Sequence, residues 1–413
     1  MRWLALSLVL SFGAFGQIEK AREYAKKLCS PKMHGRGYVQ SGDSLAAAFI
    51  AQTFENSGLK PVNGTYFQAF RFPVNTFPGK MEITVGEKTL TPGVDYIVNP
   101  SSAGIDKTLE IEYLTVAKLY KDILNQSNFS KSKVYVFRNY GFGGDTLKKT
   151  SQQLKSIAKN YTVIELVKDK LTWSVSTEDF GNAYVQIEDS VFDKNATSVH
   201  LTIDARLENH TARNVMGFLP AKKKTNKTII LSAHYDHLGR MGLNTYFPGG
   251  NDNASGNAML VQLIDYFRKK PLKKYNILFV AFAGEEIGLL GSKYMVEHPP
   301  IDLKNVRFLL NLDIMGSGEE GITVVNSTLF PNEFALLEKL NSEGNYMSQI
   351  KKRGPAANSD HYFFTEAGVP AFFFYTMGPN KHYHDVFDSY DELSFKAFES
   401  LSVLIEKFLI GLK

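Results

Sequence analysis

Between Thr228 and Asp313, three short apolar runs each stop at a residue able to bind metal or move a proton. Thr228-Ile229-Ile230-Leu231 leads into Ser232-Ala233-His234-Tyr235-Asp236-His237. The run from Ile277 to Phe282 leads into Gly284-Glu285-Glu286, and Phe308-Leu309-Leu310-Asn311-Leu312 ends at Asp313. Apolar runs of this length, without alternation, read as strands buried on both faces. Between the first two, residues 258–269 carry Met259, Leu260, Leu263, Ile264 and Phe267 at helical spacing. Strands that alternate with helices predict an α/β fold: a mixed, mostly parallel sheet with helices on both faces. Such sheets place their sites at the carboxyl ends of the strands, which is where these imidazole and carboxylate groups fall.

The same alternation runs from Asn214 to the end of the chain. Residues 249–256 form a glycine-rich turn carrying Asp252. A phenylalanine-rich strand over 370–375 precedes the loop Gly378-Pro379-Asn380-Lys381-His382-Tyr383-His384-Asp385. An amphipathic helix over 394–412 closes the chain, with Phe395, Phe398, Leu401, Leu404, Ile405 and Phe408 on its buried face. Upstream, helices are expected over 18–28 and from 43 to about 56, and a strand over 66–72. Alternating stretches follow around 81–85 and 96–98, and residues 17–102 read as the first part of the same domain. Residues 103–207 differ: short β-like runs surround one amphipathic helix at 146–158, and His200 is the sole histidine. They read as an inserted, smaller β-rich domain, after which 208–413 complete the main one.

A chain of 413 residues with 44% apolar and 22% charged residues is an ordinary globular protein with room for a large core. Its net charge of +5 is small, and short basic runs such as Lys222-Lys223-Lys224 and Lys351-Lys352-Arg353 read as solvated faces. No nucleic acid is expected as a partner. Residues 1–16 have the pattern of a cleavable signal peptide, with Arg2 before an apolar core and Ala14-Phe15-Gly16 at the cleavage site. That core is shorter than the roughly 20 residues a membrane span needs, and no later segment reaches that length. Export to a periplasmic or extracellular space is therefore expected. The single cysteine, Cys29, excludes an intrachain disulfide.

A pair of zinc ions held close together needs about five imidazole and carboxylate ligands. His234, Asp252, Glu285, Glu286, Asp313 and His384 offer them, each at a strand mouth or in an adjoining loop. Taken singly, a His-x-Asp or Glu-Glu pair is more often a surface feature than a site. Six of them in sequential strand-end positions are not readily accidental.

Ala233-His234-Tyr235-Asp236-His237, Gly250-Asn251-Asp252-Asn253-Ala254-Ser255-Gly256, Gly284-Glu285-Glu286-Ile287-Gly288, Asn311-Leu312-Asp313 and Tyr383-His384 with Asp388 resemble the five signature blocks of the M28 co-catalytic zinc aminopeptidases. The resemblance covers 214–413 well and extends loosely to the first hundred residues, where Pro31 to Gly37 also echoes the group. The inserted region matches the protease-associated domain of such enzymes only in outline. It implies two Zn2+ ions, one held by His234 and Asp313, the other by Glu286 and His384, with Asp252 bridging. It implies that Glu285 is the general base, that Asp236 orients a ligand imidazole through its carboxylate, and that Tyr383 supports the oxyanion. It further implies a cis peptide at Asp252-Asn253.

His237 and His382 compete with the neighbouring histidines as ligands, and His34 sits in a glycine-flanked turn. Ser359-Asp360-His361 reads as loop and support. The activity expected is an exported zinc exopeptidase acting on peptides with a free amino terminus. Three other readings stand on the same fold: a mono-zinc acyltransferase of the glutaminyl cyclase type, a carboxypeptidase for acidic peptides, and a non-catalytic ectodomain. The carboxypeptidase would need an arginine-lined pocket, for which Arg240 and Arg353 are the nearby candidates.

Overall fold

Side-chain alternation along the central strands divides the interior into two cores. The structure, a computed structural model, describes residues 18–413 apart from 117–118, 120–128 and 142, so the expected signal peptide at 1–16 lies outside the described residues. The main sheet contains β1 (Phe67–Thr76), β2 (Arg206–Leu219), β3 (Thr228–His234), β4 (Asn276–Phe282), β5 (Val306–Leu312), β6 (Gly321–Val325), β7 (Ile350–Lys352) and β8 (Ala371–Met377). Their spatial order is β1-β2-β4-β3-β5-β8-β6-β7. The centre, β4-β3-β5-β8, is parallel, whereas β1-β2, β2-β4 and β8-β6 are antiparallel pairs.

Ile229, Leu231, Ile277, Phe279, Phe308 and Leu310 point to one face, where the helices at 18–28, Gly42–Asn56, Ser255–Lys269, Pro331–Gly344 and Phe398–Gly411 cover them. Ile230, Leu278, Val280 and Leu309 point to the other, under Met295 of helix Leu290–Glu297 and Phe364 of helix His361–Glu366. Each of these buried side chains contributes roughly 1.5–3 kcal/mol of transfer free energy, which explains why a chain without disulfides can hold the sheet rigid. Among the described residues no helix is long and apolar enough to cross a membrane.

A second eight-stranded sheet is inserted between β1 and β2, which pair along their length from Phe67↔Val215 to Thr76↔Arg206. Its strands run from Met81–Val85 to Ser198–Ile203. The insertion therefore starts directly after Thr76, not near residue 103 as the sequence suggested. The stretches at Met81–Val85, Lys88–Leu90 and Tyr96–Val98 belong to it, the first pairing with Ser198–Ile203 and the last with Tyr184–Glu188. Short alternating strands look alike in either domain, and only long-range pairing assigns them. The two domains share a core as well: Leu238, Met241 and Phe247 of the main domain pack with Phe77, Trp173 and the second sheet.

Candidate metal centre

The parallel register brings three strand ends to one edge. His234, the last residue of β3, lies opposite Phe282 of β4, so Glu285 and Glu286 follow just beyond it. Asp313 follows the last residue of β5, and His384 comes from the loop after β8. Asp252 sits in the turn Gly250–Ala254, whose Asp252-Asn253 peptide is cis, as the family resemblance implies.

Neighbouring polar groups fix this turn in place. Asp388 accepts from the backbone N–H of Asn251 (2.8 Å) and Asp252 (3.0 Å). The Asn253 amide donates to the Leu312 carbonyl at the end of β5, and the Asn257 amide donates to the carbonyls of His234 and Asn253. Gly249 has φ +57°, and a Cβ there would lie 2.4 Å from the Asp252 carbonyl oxygen and 2.5 Å from Arg36 Nη2. Only glycine fits this backbone.

Asp252 Oδ1 lies 3.2 Å from His234 Nε2, and its Oδ2 lies 3.1 Å from His384 Nε2. Asp313 Oδ1 is 3.4 Å from the same His234 nitrogen, and Glu286 Oε2 is 3.0 Å from the same His384 nitrogen. Potential ligand atoms of His234, Asp252 and Glu286 fall within 4.8 Å of one another, as do those of His234, Glu285 and Asp313. The structure thus brings together all six strand-end residues.

The donor set fits a metal. His234 Nδ1 bonds to the Asp236 carbonyl (3.1 Å) and His384 Nδ1 to the Trp173 carbonyl (3.0 Å). A carbonyl only accepts, so each Nδ1 carries a proton and each ring turns its Nε2 inward, free to bind a metal when that nitrogen is unprotonated. Both Nε2 atoms face carboxylate oxygens at 3.0–3.4 Å, so the cluster gathers negative charge that protons on the rings or a bound cation would neutralise. His384 Nε2 and Asp313 Oδ1 have no hydrogen-bond partner despite being buried.

Electrostatics point the same way. Burial opposes charge on His234, but Asp313, Glu285 and the bonds to Asp252 and Asp313 hold its pKa well above the ordinary histidine range. Burial pushes His384 down, yet Glu286 and Asp252 raise it to about 11. Glu285 is driven well above the carboxylate range by burial, opposed by His234 and reinforced by Glu286, Asp360 and Asp313. For Tyr383, burial and then the surrounding carboxylates push the phenol up, so it keeps its proton. Its ring stacks on His384 with centroids 3.9 Å apart.

The structure departs from expectation at Asp236. Its carboxylate lies 3.8 Å from His234 Nδ1, and the carbonyl of the same residue orients the ring instead. The carboxylate is occupied elsewhere, accepting from the backbone N–H of Glu285 (3.2 Å) and Glu286 (3.3 Å) and from the Tyr38 hydroxyl (3.4 Å). It steadies the Glu285-Glu286 corner, and through that corner the cluster. His237 donates to Glu286 Oε1 at 2.7 Å, His382 pairs with Asp385 at 3.3 Å, and His34 contacts Arg240 at 3.3 Å. None of the three belongs to the clusters around Asp252.

Asp360 is fully buried and near enough to raise the pKa of Glu285, which places the Ser359-Asp360-His361 block beside the site. Arg36, which lies in the 31–37 stretch that echoes the family, and Trp173, which has no sequence signal of its own, support the site. Arg36 gives its guanidinium to the carbonyls of Leu28, Tyr235, Pro248 and Gly249 at 2.7–3.0 Å.

Comparison with known proteins places this geometry. The chain is 28% identical over 216 residues to the aminopeptidase YwaD of Bacillus subtilis (strain 168), a match that covers 48% of this chain and 44% of that protein. The aligned stretch therefore spans less than half of that relative's length. Among solved structures, a zinc aminopeptidase from Bacillus subtilis superposes with a TM-score of 0.71 at 19% identity, covering 95% of this chain and 94% of that one. An aminopeptidase from Aneurinibacillus sp. strain AM-1 gives a TM-score of 0.64 at 20% identity, covering 96% and 95%. At such identities the superpositions establish the shared fold, inserted domain included. The family model for peptidase family M28 matches residues 214–409, the stretch that carries His234, Asp252, Glu285, Glu286, Asp313 and His384. Residues 214–409 thus form a domain that matches peptidase family M28.

Proposed function

We propose that the chain is an exported aminopeptidase that holds two zinc ions and hydrolyses the first peptide bond of a peptide with a free amino terminus. The observation that carries this reading is the placement of Asp252, whose two oxygens each face a different histidine. His234 and Asp313 would hold one zinc, Glu286 and His384 the other, and Asp252 both. Zinc, when bound, supplies Lewis acidity: it brings the pKa of water to about 7 and polarises a carbonyl.

The remaining chemistry belongs to the protein. Glu285 takes a proton from the attacking water and passes it to the amine that leaves. Burial raises its pKa above the ordinary carboxylate range, the direction that favours accepting a proton. Tyr383, protonated and stacked on His384, donates to the carbonyl oxygen as charge develops there. Asp236 and His237 keep the Glu285-Glu286 pair in register, one through the backbone amides and the other through Glu286 Oε1. The names of the B. subtilis relatives support the aminopeptidase direction. A carboxypeptidase finds less support, since Arg240 spends its guanidinium on the carbonyls of Gly242 and Leu243 and on His34, and Arg353 bonds to the Tyr375 hydroxyl.

The expected result is two zinc ions per chain by elemental analysis, with cleavage of amino-acid anilides but not of their N-acetylated counterparts. Asp252→Ala should lose at least one ion and, with it, nearly all activity. A single tightly bound zinc whose affinity is unchanged in Asp252→Ala would overturn the two-zinc reading. Export is tested separately by sequencing the amino terminus of the secreted protein, which should begin at Gln17.

A further inference from the structure

The inserted domain reaches the metal centre itself. Between its strands Thr162–Val167 and Tyr184–Glu188 the chain leaves the second sheet and crosses to the loop that carries His384. There Trp173 and His384 exchange two hydrogen bonds: the Trp173 N–H donates to the His384 carbonyl (2.9 Å), and His384 Nδ1 donates to the Trp173 carbonyl (3.0 Å). Three residues earlier, Lys170 donates to the carbonyls of Lys381 (2.8 Å) and Tyr383 (3.0 Å) and pairs with the buried Asp385 at 2.6 Å.

The crossing is anchored on both domains. The Trp173 ring stacks on Phe247 (4.7 Å), its Nε1 donates to the Val98 carbonyl, and Ser176 accepts from the Asn75 N–H of β1. His384 has φ +55°, a backbone setting that a β-carbon disfavours and that surrounding contacts must hold.

We infer that the inserted domain is a structural part of the second zinc site. Its segment 170–173 is a strap whose Trp173 carbonyl selects the His384 tautomer and aims Nε2 at Asp252 and Glu286. Trp173 and Lys170 are thus positioning residues that act through His384. The inference rests on the two-zinc reading above, and it assigns the domain a role distinct from a mere spacer. His234 takes the equivalent contact from its own strand end, at the Asp236 carbonyl, so only one of the two metals depends on the insertion.

Full-length Trp173→Ala and Lys170→Met proteins, loaded with zinc and titrated against a chromophoric chelator, should show one dissociation constant raised 10–100-fold, the effect typical of losing an outer contact to a ligand histidine. The other constant should stay at its wild-type value, and the cobalt(II) absorption band of the weakened site should shift. Trp173→Phe, which keeps the backbone and refills the contact with Phe247, should restore both. Since Trp173 is buried and its alanine variant could unfold, a backbone ester at the 173–174 linkage gives an independent reading. It weakens the carbonyl as an acceptor with every side chain in place and should raise the same constant. Wild-type constants for both ions in the folded ester protein overturn the inference. A wild-type protein that holds one zinc overturns the two-zinc reading, and shows this before any variant is made.

Discussion

Glu285→Gln is expected to lower kcat by about 10²–10⁴, the usual contribution of a positioned acid–base group, while zinc content and thermal midpoint stay at wild-type values. Glutamine has the same shape and keeps the backbone N–H that bonds to Asp236, so the corner should not move. What it loses is the ability to accept a proton. Glu285 is buried among Glu286, Asp360 and Asp313, which disfavour its charge, so a neutral side chain there relieves repulsion and should not cost stability. The contrast with the next residue sharpens the test. Glu286 touches both His237 (2.7 Å) and His384 (3.0 Å), and Glu286→Gln should lose zinc as well as activity. Near-normal turnover in a folded, zinc-replete Glu285→Gln protein would assign the proton transfer to another group. Elemental analysis and single-turnover hydrolysis of an anilide measure the two quantities independently.

The central strands could be read from sequence because strands buried on both faces are written as unbroken apolar runs, and β3, β4 and β5 each end at, or within three residues before, a histidine or carboxylate of the cluster. The edge of the same sheet left little trace. β7 is three residues long and mostly exposed, so Ile350-Lys351-Lys352 looks like any loop. Helix His361–Glu366 spans six residues, too few for a periodicity to show. The six-residue cluster was legible for a different reason: histidine and carboxylate at strand ends stand out by residue type. Groups that act through main-chain atoms do not. Every residue has a carbonyl, so nothing in the letters marks Trp173 as the acceptor for His384 or the Asp236 carbonyl, rather than its carboxylate, as the acceptor for His234. The start of the inserted domain was hidden likewise, since the Met81–Leu90 hairpin alternates as a strand of either sheet would.

Arg36→Met should be among the most destabilising single changes in the chain. The side chain is 0% exposed, and all its strong bonds go to backbone carbonyls: Tyr235 and Pro248 at 2.7 Å, Gly249 at 2.7 Å and Leu28 at 3.0 Å. These acceptors come from three separate segments: the helix at 18–28, the end of β3 and the turn that carries Asp252. One planar fork therefore ties the first helix to both sides of the metal centre. Methionine fills most of the volume but removes a donor from four buried acceptors. The Gly249 carbonyl keeps the Ala254 N–H (3.2 Å), while those of Leu28, Tyr235 and Pro248 lose about 1–3 kcal/mol each where water cannot enter. Partial relaxation lowers that sum, and breaking a comparable buried charged network costs about 3–5 kcal/mol. Arg36→Lys should fall between, because an ammonium carries three donors but cannot span acceptors fixed by a guanidinium plane. The loss should not be confined to stability. Asp252 rides on the turn that Arg36 holds, and its carbonyl lies 3.4 Å from Nη2, so zinc affinity should fall roughly tenfold or more in the variant, as for loss of other supporting contacts. Thermal unfolding in excess zinc and in chelator separates the two effects. An Arg36→Met protein with the wild-type midpoint in chelator would mean that those three carbonyls find other donors, and that the fork does not hold the turn.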